Sequence, residues 1–231
     1  WFKSIGGGIV QDISGFIASI LFRGVDWVFI PTTLLAQADS CIGGKTSINL
    51  GGFKNQLGNF YPPSRILICH RFLDTLPEED IVSGIGECLH YILVDGTEAA
   101  DRFIPQLYPW GSKPDSLDYV DLIRSCLEIK KEFIEADEFD KNERLILNYG
   151  HTFGHALEAC QEISHGRAVA FGMVVANNIS EKLEIAPYGT FENVNEVLNK
   201  YHSVESINVE EYLGALRLDK KNVDDKLTCI L

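Results

Sequence analysis

The chain has 231 residues, 45% of them hydrophobic and 10% aromatic, enough for one or two packed domains and neither a disordered nor a fibrous composition. Its formal net charge of -13 argues against a general nucleic-acid or acidic-membrane surface, which needs clustered positive charge to displace counterions. No run of about 18 apolar residues exists, and the opening Trp1-Phe2-Lys3 followed by Gly6-Gly7-Gly8 lacks the three regions of a secretory leader. The six cysteines form no CxxC pair and no dense framework, so a reduced, cytoplasmic protein is expected, without thiolate zinc.

The first third alternates short strands, helices and glycine turns. From Ile9 to Phe22, apolar residues at Ile13, Phe16, Ile17, Ile20 and Leu21 form a helical stripe. Trp27-Val28-Phe29-Ile30 before Pro31 reads as a buried strand, and Arg65-Ile66-Leu67-Ile68-Cys69 as another, with loops at Gly43-Gly44 and Gly51-Gly52 between them. The pattern is a nucleotide-binding style of α/β architecture over residues 1–76. Beyond Leu76 long amphipathic helices take over, and residues 77–231 read as an α-helical domain. Pro77-Glu78-Glu79-Asp80 opens the first helix, where the fixed φ of proline and the helix dipole favour these residues, and it runs toward Gly96. Pro109 to Ser116 is loop-like, helices are expected near 117–137, 143–160, 166–185 and 190–202, and Leu227 to Leu231 looks strand-like.

Gly6-Gly7-Gly8-Ile9-Val10-Gln11-Asp12 leads from a strand into a helix, where bare backbone and a helix N-terminus could receive a pyrophosphate. Alone the signal is weak, since the spacing is not GxGxxG and a tight packing turn would leave the same trace. Gly43-Gly44-Lys45-Thr46 lacks the spacing of a Walker A loop, so an NTPase reading fails, yet Asp39, Lys45, Asn49, Lys54 and Asn55 make this segment polar enough for a cleft. The densest chemistry is Asn148-Tyr149-Gly150-His151-Thr152-Phe153-Gly154-His155, followed by His165-Gly166. His151 and His155 stand at i and i+4, one face of a helix, and three imidazoles in fifteen positions favour a metal site over ordinary core histidines. Glu87, on another amphipathic helix, offers the carboxylate of a two-His, one-carboxylate set that leaves a position open for water or substrate. Spacing leaves open which two histidines bind.

Together these segments resemble the 3-dehydroquinate synthase family of sugar-phosphate cyclases. The resemblance is carried by GGGIVQDISGF, LFRGVDWVFIPTTLLAQADSCIGGKTSIN, FKNQLGNFYPP, FLDTLPEED with the helix bearing Glu87, RLILNYGHTFGHALEA, HGRAVAFGM and the terminal DKKN. It implies a Rossmann-like NAD-binding α/β portion followed by an all-α metal-binding domain. It also implies that the family's first part, helping to hold the adenine side of NAD, and a short C-terminal end lie outside this chain.

The resemblance makes Glu87, His151 and His165 the ligands of a zinc or cobalt ion and His155 a substrate or proton-relay group. It places Gly8, Ile9, Val10, Gln11, Asp12, Thr32, Thr33, Asp39, Lys45 and Lys54 around NAD, with Phe72, Leu73, Asp74 and Thr75. Lys45, Asn55, Lys130, Arg144, Asn148, Lys220 and Lys221 would line the pocket of an anionic sugar phosphate, and Arg23 would reach the substrate phosphate of a neighbouring subunit in a homodimer. The implied activity is an NAD- and metal-dependent carbon–oxygen lyase making 3-dehydroquinate from 3-deoxy-D-arabino-heptulosonate 7-phosphate in the shikimate route to aromatic amino acids. Three positions depart from the family pattern: His90 replaces a lysine, Arg167 a glutamate, and Gln11 a glycine. These keep open a cyclase making another cyclitol, a metal-dependent polyol dehydrogenase and an inactive paralogue.

Overall fold

The computed structural model of the chain describes residues 2–51, 53–202, 204, 206–218 and 227–231. It divides into two compact units: Trp1–Gly84 with Tyr119–Arg144, and Ile85–Asp118 with Leu145–Leu231.

In the first unit, β1 (Phe2–Gly6), β2 (Trp27–Pro31) and β5 (Arg65–Ile66) form a parallel sheet in the order β1-β2-β5. The expected strand over Arg65 to Cys69 is shorter, because after Ile66 the chain turns into a 3-10 segment, His70–Thr75. Helix α1 (Gly8–Ile20) joins β1 to β2. Its apolar stripe does not face the sheet: Ile13, Ile17 and Ile20 are 45%, 38% and 59% exposed, while the buried residues are Gln11, Ser14, Gly15 and Ala18. Small side chains let the helix lie close to the sheet, and Ala18 packs with Trp27, Phe29, Ala36 and Cys41 in the unit's core.

The glycine-marked loop at Gly51 is the turn of an antiparallel hairpin, β3 (Ile48–Leu50) with β4 (Phe53–Leu57). Its short strands carry no alternation strong enough to announce them. Helix α4 (Tyr119–Ala136) also belongs to this unit and buries Leu122, Ile123, Cys126, Ile129 and Lys130.

Helix α2 (Glu78–Asp95) carries three acids in its first turn, matching the positive end of the helix dipole, and enters the second unit at Ile85. That unit adds α3 (Thr97–Phe103), α5 (His151–Cys160), α6 (His165–Lys182), α7 (Glu192–His202) and α8 (Val209–Arg217). The single helix expected over 143–160 is two pieces, a 3-10 turn Glu143–Asn148 and α5, broken at Gly150 with φ 75°. A side chain at Gly150 would be strained by that left-handed backbone and would strike Met173 of α6. The break therefore lets His151 begin a new helix lying against α6.

Phe153, Ala156 and Leu157 of α5, Ala168 and Ala176 of α6, and Tyr212 and Leu216 of α8 form the core. Full burial of a residue such as Leu157 contributes about 1.5–3 kcal/mol. Leu227 to Leu231 forms no strand; Thr152 Oγ1 donates to the Thr228 carbonyl, a side-chain contact and no ladder bond. Among the described residues no helix is long and apolar enough to cross a membrane, and the six cysteines are not in disulfides.

Candidate active site

Glu87, His151 and His165 come together within the second unit. Glu87 sits on α2 beside Gly86, where a Cβ would lie 2.2 Å from the Gly166 carbonyl oxygen, so only glycine lets α2 approach the start of α6 this closely. That approach sets the Glu87 carboxylate, 3% exposed, against the two imidazoles: His151 Nε2 is 3.5 Å from Oε1 and His165 Nε2 is 3.4 Å from Oε2. Burial alone would raise the Glu87 carboxyl, but the charges and hydrogen bonds of His151 and His165 outweigh it and hold it well below the usual carboxylate range. Burial likewise works against charge on His165, yet Glu158 and Glu87 together push its imidazole up to about 10.

These residues fit a divalent ion. Bonds of about 2.0–2.1 Å at tetrahedral angles place neighbouring ligand atoms roughly 3.4 Å apart, and the spacings here are 3.4 and 3.5 Å. Glu87 Oε2 is buried and makes no hydrogen bond of good geometry, an arrangement that costs stability unless a cation satisfies the oxygen. His151 Nδ1 lies 3.2 Å from the Tyr149 carbonyl, which accepts its N–H and leaves Nε2 as a lone-pair donor.

His155 stands beside this set, its ring centroid 5.5 Å from His151 and 5.7 Å from His165. A second, overlapping group, His155, Glu158 and His165, also has its ligand atoms within 4.8 Å of one another. Spacing had not singled out Glu158. Its signal was available as the i+3 neighbour of His155, but a glutamate on a helix face is an ordinary sight.

The two departures near the histidines acquire structural explanations. His90 is fully buried and packs edge-on against His151 with ring centroids 5.0 Å apart, with Tyr91 and Tyr149 as further ring neighbours. Arg167, expected to be disfavoured near a helix N-terminus, turns its guanidinium to the far end of α7 and donates to the Tyr201 carbonyl at 2.8 Å. A cation at a helix C-terminus is favourable, which offsets its location in the first turn of α6.

In the first unit, the segments that follow the three parallel strands carry most of the residues expected around NAD: Gly8 to Asp12 in the first turns of α1 after β1, Thr32 and Thr33 after β2, and Phe72 to Thr75 in the 3-10 segment after β5. The carboxyl ends of parallel strands are where open α/β sheets take ligands. Gln37 binds the Pro31 and Cys69 carbonyls at 3.1 and 3.0 Å and so links two of these segments. Gln11 donates to the Ser40 carbonyl at 2.5 Å and accepts from Ser40 Oγ at 2.7 Å, locking α1 to the π-helical turn Ala36–Ser40. A glycine there could not make this link.

Within that turn Asp39 receives the Lys130 ammonium at Oδ1, 2.6 Å, and at its carbonyl oxygen, 2.8 Å. Lys45 is bound instead to Asp140 at 2.5 Å, and buried Arg144 donates to the Glu138 carbonyl at 2.8 Å. Main-chain N–H groups of Asn142, Lys141 and Arg144 hold the Asp137 carboxyl below its usual range and shape this loop.

Asn55, with φ 57°, accepts from Ser47 Oγ on the hairpin, and Asn148 donates to the Leu145 carbonyl at 3.1 Å. Arg23 lies exposed on the Leu21–Arg23 turn beside Phe22, which is 92% exposed. Lys220, Lys221 and the side chain of Lys54 lie outside the described residues.

Partial burial pushes the Asp12 carboxyl up from 3.8 to about 6, a hydrogen bond from the Ser47 main chain acting the other way. The unfolded chain thus loses this proton near pH 3.8 and the folded chain near 6, so the group costs stability progressively as pH rises through that window and fully above it. Asp12→Asn is expected to stabilise the protein at pH 7.5 by about 1 kcal/mol after allowance for solvent screening. In urea unfolding, the gain should shrink toward zero as pH falls toward 3.8; a gain independent of pH would contradict the burial assigned to this carboxyl.

Known proteins place the chain. Residues 2–83 match the family model for the 3-dehydroquinate synthase N-terminal region and residues 84–222 that for its C-terminal region. The 3-dehydroquinate synthase of Clostridium perfringens strain SM101 is 40% identical over 235 residues, covering 99% of this chain and 66% of the relative. That of Dictyoglomus turgidum is 41% identical over 234 residues, covering 99% and 65%. The chain therefore spans about two thirds of the length of these relatives.

Among solved structures, 2-deoxy-scyllo-inosose synthase complexed with carbaglucose-6-phosphate, NAD+ and Co2+ superposes with TM-score 0.82 at 28% identity, covering 93% of this chain and 60% of that one. The 2-epi-5-epi-valiolone synthase of Streptomyces hygroscopicus, with NAD+ and Zn2+ bound, gives 0.75 at 25% identity, covering 93% and 61%. These neighbours agree with the expected fold class, an NAD-binding α/β part followed by a helical metal-binding part. By the match of both family models over nearly its whole length, the chain belongs to the 3-dehydroquinate synthase family.

Proposed function

We propose that this chain carries the metal and substrate machinery of a cyclase converting 3-deoxy-D-arabino-heptulosonate 7-phosphate to 3-dehydroquinate and phosphate. The observation that carries the reading is the convergence of Glu87, His151 and His165, whose ligand atoms lie within 4.8 Å of one another, in a chain about 40% identical to 3-dehydroquinate synthases. The net reaction is a redox-neutral loss of phosphate. An alcohol carbon is oxidised, which acidifies the neighbouring C–H; phosphate leaves by β-elimination; the carbonyl is reduced again; and the opened ring recloses by an intramolecular aldol step. When bound, NAD supplies the hydride exchange and the divalent ion supplies Lewis acidity at the reacting alcohol.

The chain's own residues bind, orient and move protons. Glu87, His151 and His165 hold the ion, and His155, within ring contact of two of them, relays a proton at the substrate. Lys45, Asn55, Lys130, Arg144, Asn148, Lys220 and Lys221 bind the substrate's anionic groups, whose charge they stabilise and whose orientation they fix. The segments at Gly8 to Asp12, Thr32 and Thr33, Asp39, Lys45, Lys54 and Phe72 to Thr75 hold NAD. Residues 1–76 form the NAD side and 77–231 the metal and substrate side, although residues 77–84 and Tyr119–Arg144 fold with the first unit. The protein acts as a homodimer in which exposed Arg23 reaches the substrate phosphate of the partner.

Protein carrying these 231 residues, given NAD, Zn2+ or Co2+ and the heptulosonate phosphate, should release inorganic phosphate and form the carbocycle in equal amounts by NMR, with no net NADH. Turnover only of another sugar phosphate would replace this reading with a cyclase making a different cyclitol. That alternative is favoured by one observation, the burial of His90 against His151 where the family carries a lysine. Accumulating NADH would instead identify a polyol dehydrogenase.

A further inference from the structure

His165 uses its two ring nitrogens in opposite directions. Nε2 faces Glu87 Oε2 at 3.4 Å, while Nδ1 lies 3.2 Å from Oε2 of Glu158. Glu158 stands on α5, its side chain 9% exposed. We propose that Glu158 is a positioning residue whose carboxylate accepts the Nδ1–H of His165, fixing the tautomer and ring orientation that present Nε2 to the divalent ion. The inference rests on the metal-holding role given above to Glu87, His151 and His165.

A neutral imidazole has one N–H and one lone pair, and only the nitrogen without the proton can be a ligand. An ion at the site displaces the proton on Nε2, and the one proton the ring keeps must then stay on Nδ1. A carboxylate at Nδ1 holds it there, because it can only accept, and it also restrains ring rotation. The two histidines are held unequally: His151 leans on the neutral Tyr149 carbonyl and His165 on an ionisable carboxylate. Removing such an outer partner typically costs 10–100-fold in metal affinity.

The overlapping His155, Glu158 and His165 group raises the competing assignment of Glu158 as ligand to a second ion. The single lone pair of a neutral imidazole decides against it. Serving ions on both sides would require His165 to lose both ring protons, whereas the 3.2 Å separation is that of an N–H donating to a carboxylate.

Zn2+ affinity by chelator competition, with metal stoichiometry, should be measured for the wild type, Glu158→Ala and Glu158→Gln. The inference expects one ion per chain throughout, affinity weakened about 10–100-fold in Glu158→Ala, and partial recovery in Glu158→Gln, whose amide oxygen still accepts. The hydrogen-bonded Nδ1–H resonance of His165 should be lost in Glu158→Ala, and the visible spectrum of the Co2+-loaded protein should keep its form because the ligands are unchanged. Thermal unfolding of each variant separates misfolding from lost positioning, and the near-isosteric Glu158→Gln carries the test should Glu158→Ala not fold.

Unaltered affinity in Glu158→Ala overturns the inference alone. Two ions in the wild type falling to one in Glu158→Ala overturns it in favour of a ligand role. A wild type that binds neither ion overturns the metal reading beneath it, and this inference with it.

Discussion

Replacing Glu87 with glutamine should abolish the stabilisation that Zn2+ gives the folded protein. An ion that binds only the native state adds about 4 kcal/mol when present at a thousand times its dissociation constant, which for a chain of 231 residues raises the unfolding midpoint by roughly 10 °C. The effect depends on Glu87 because it is the only anionic member of the set of three, and it is buried at 3% exposure between two imidazoles. Removing one charge from such a buried arrangement costs about 3–5 kcal/mol, or a loss of about a thousandfold in affinity.

Glutamine keeps the size and one acceptor oxygen, so the close approach of Gly86 to Gly166 is untouched and the loss reports charge. Calorimetric scans of wild type and Glu87→Gln, with and without Zn2+, provide the check. Equal metal-dependent shifts in the two proteins would remove Glu87 from the site. On the proposed reaction, the same substitution should also suppress phosphate release, because the reacting alcohol would lack its Lewis acid.

The legibility of this architecture in the sequence differs from element to element for physical reasons. Trp27 to Ile30 announces a buried strand because a parallel strand is covered on both faces and needs no alternation. The histidines are conspicuous because histidine is a rare residue type and three fall within fifteen positions, two on α5 and one at the start of α6.

Other features depend on tertiary partners that no local pattern encodes. The isoleucines of α1 have helical period, and the period says nothing about which face meets the sheet; the small residues Ser14, Gly15 and Ala18, with Gln11 bound to Ser40, decide it. Helix α8 went unread because nine residues with acids in the first turn resemble a solvated segment until Tyr212 donates to the Phe153 carbonyl. Arg167 looked misplaced only because its sequence neighbours are the start of α6, while its electrostatic partner is the end of α7. Glu158 escaped notice for a related reason, since its role depends on the ring orientation of a histidine seven positions later.

Lys130→Met should be the most destabilising change in the first unit outside its apolar core. The ammonium is 8% exposed and is held twice by one residue, at the Asp39 carboxylate and the Asp39 carbonyl. Methionine keeps the unbranched apolar stem and its packing on α4, so the measured loss is that of the charge and its two hydrogen bonds. With Asp39 18% exposed, water recovers part of the deficit, and the expected cost falls at the lower end of the range for a broken buried pair, about 3 kcal/mol. Thermal unfolding should then begin roughly 10 °C lower.

Asp39→Asn in the same background tests the cause. If the cost comes from a carboxylate deprived of its cation, the double variant should recover at least about 1 kcal/mol over Lys130→Met; simple additivity would assign the cost to packing. The cycle also separates two duties placed on one side chain. A lysine that anchors the π-helical turn and also binds a substrate anion should, when changed to arginine, keep stability better than turnover. Arginine retains the charge that holds Asp39 but presents it through a planar fork that a site shaped for a compact ammonium does not match.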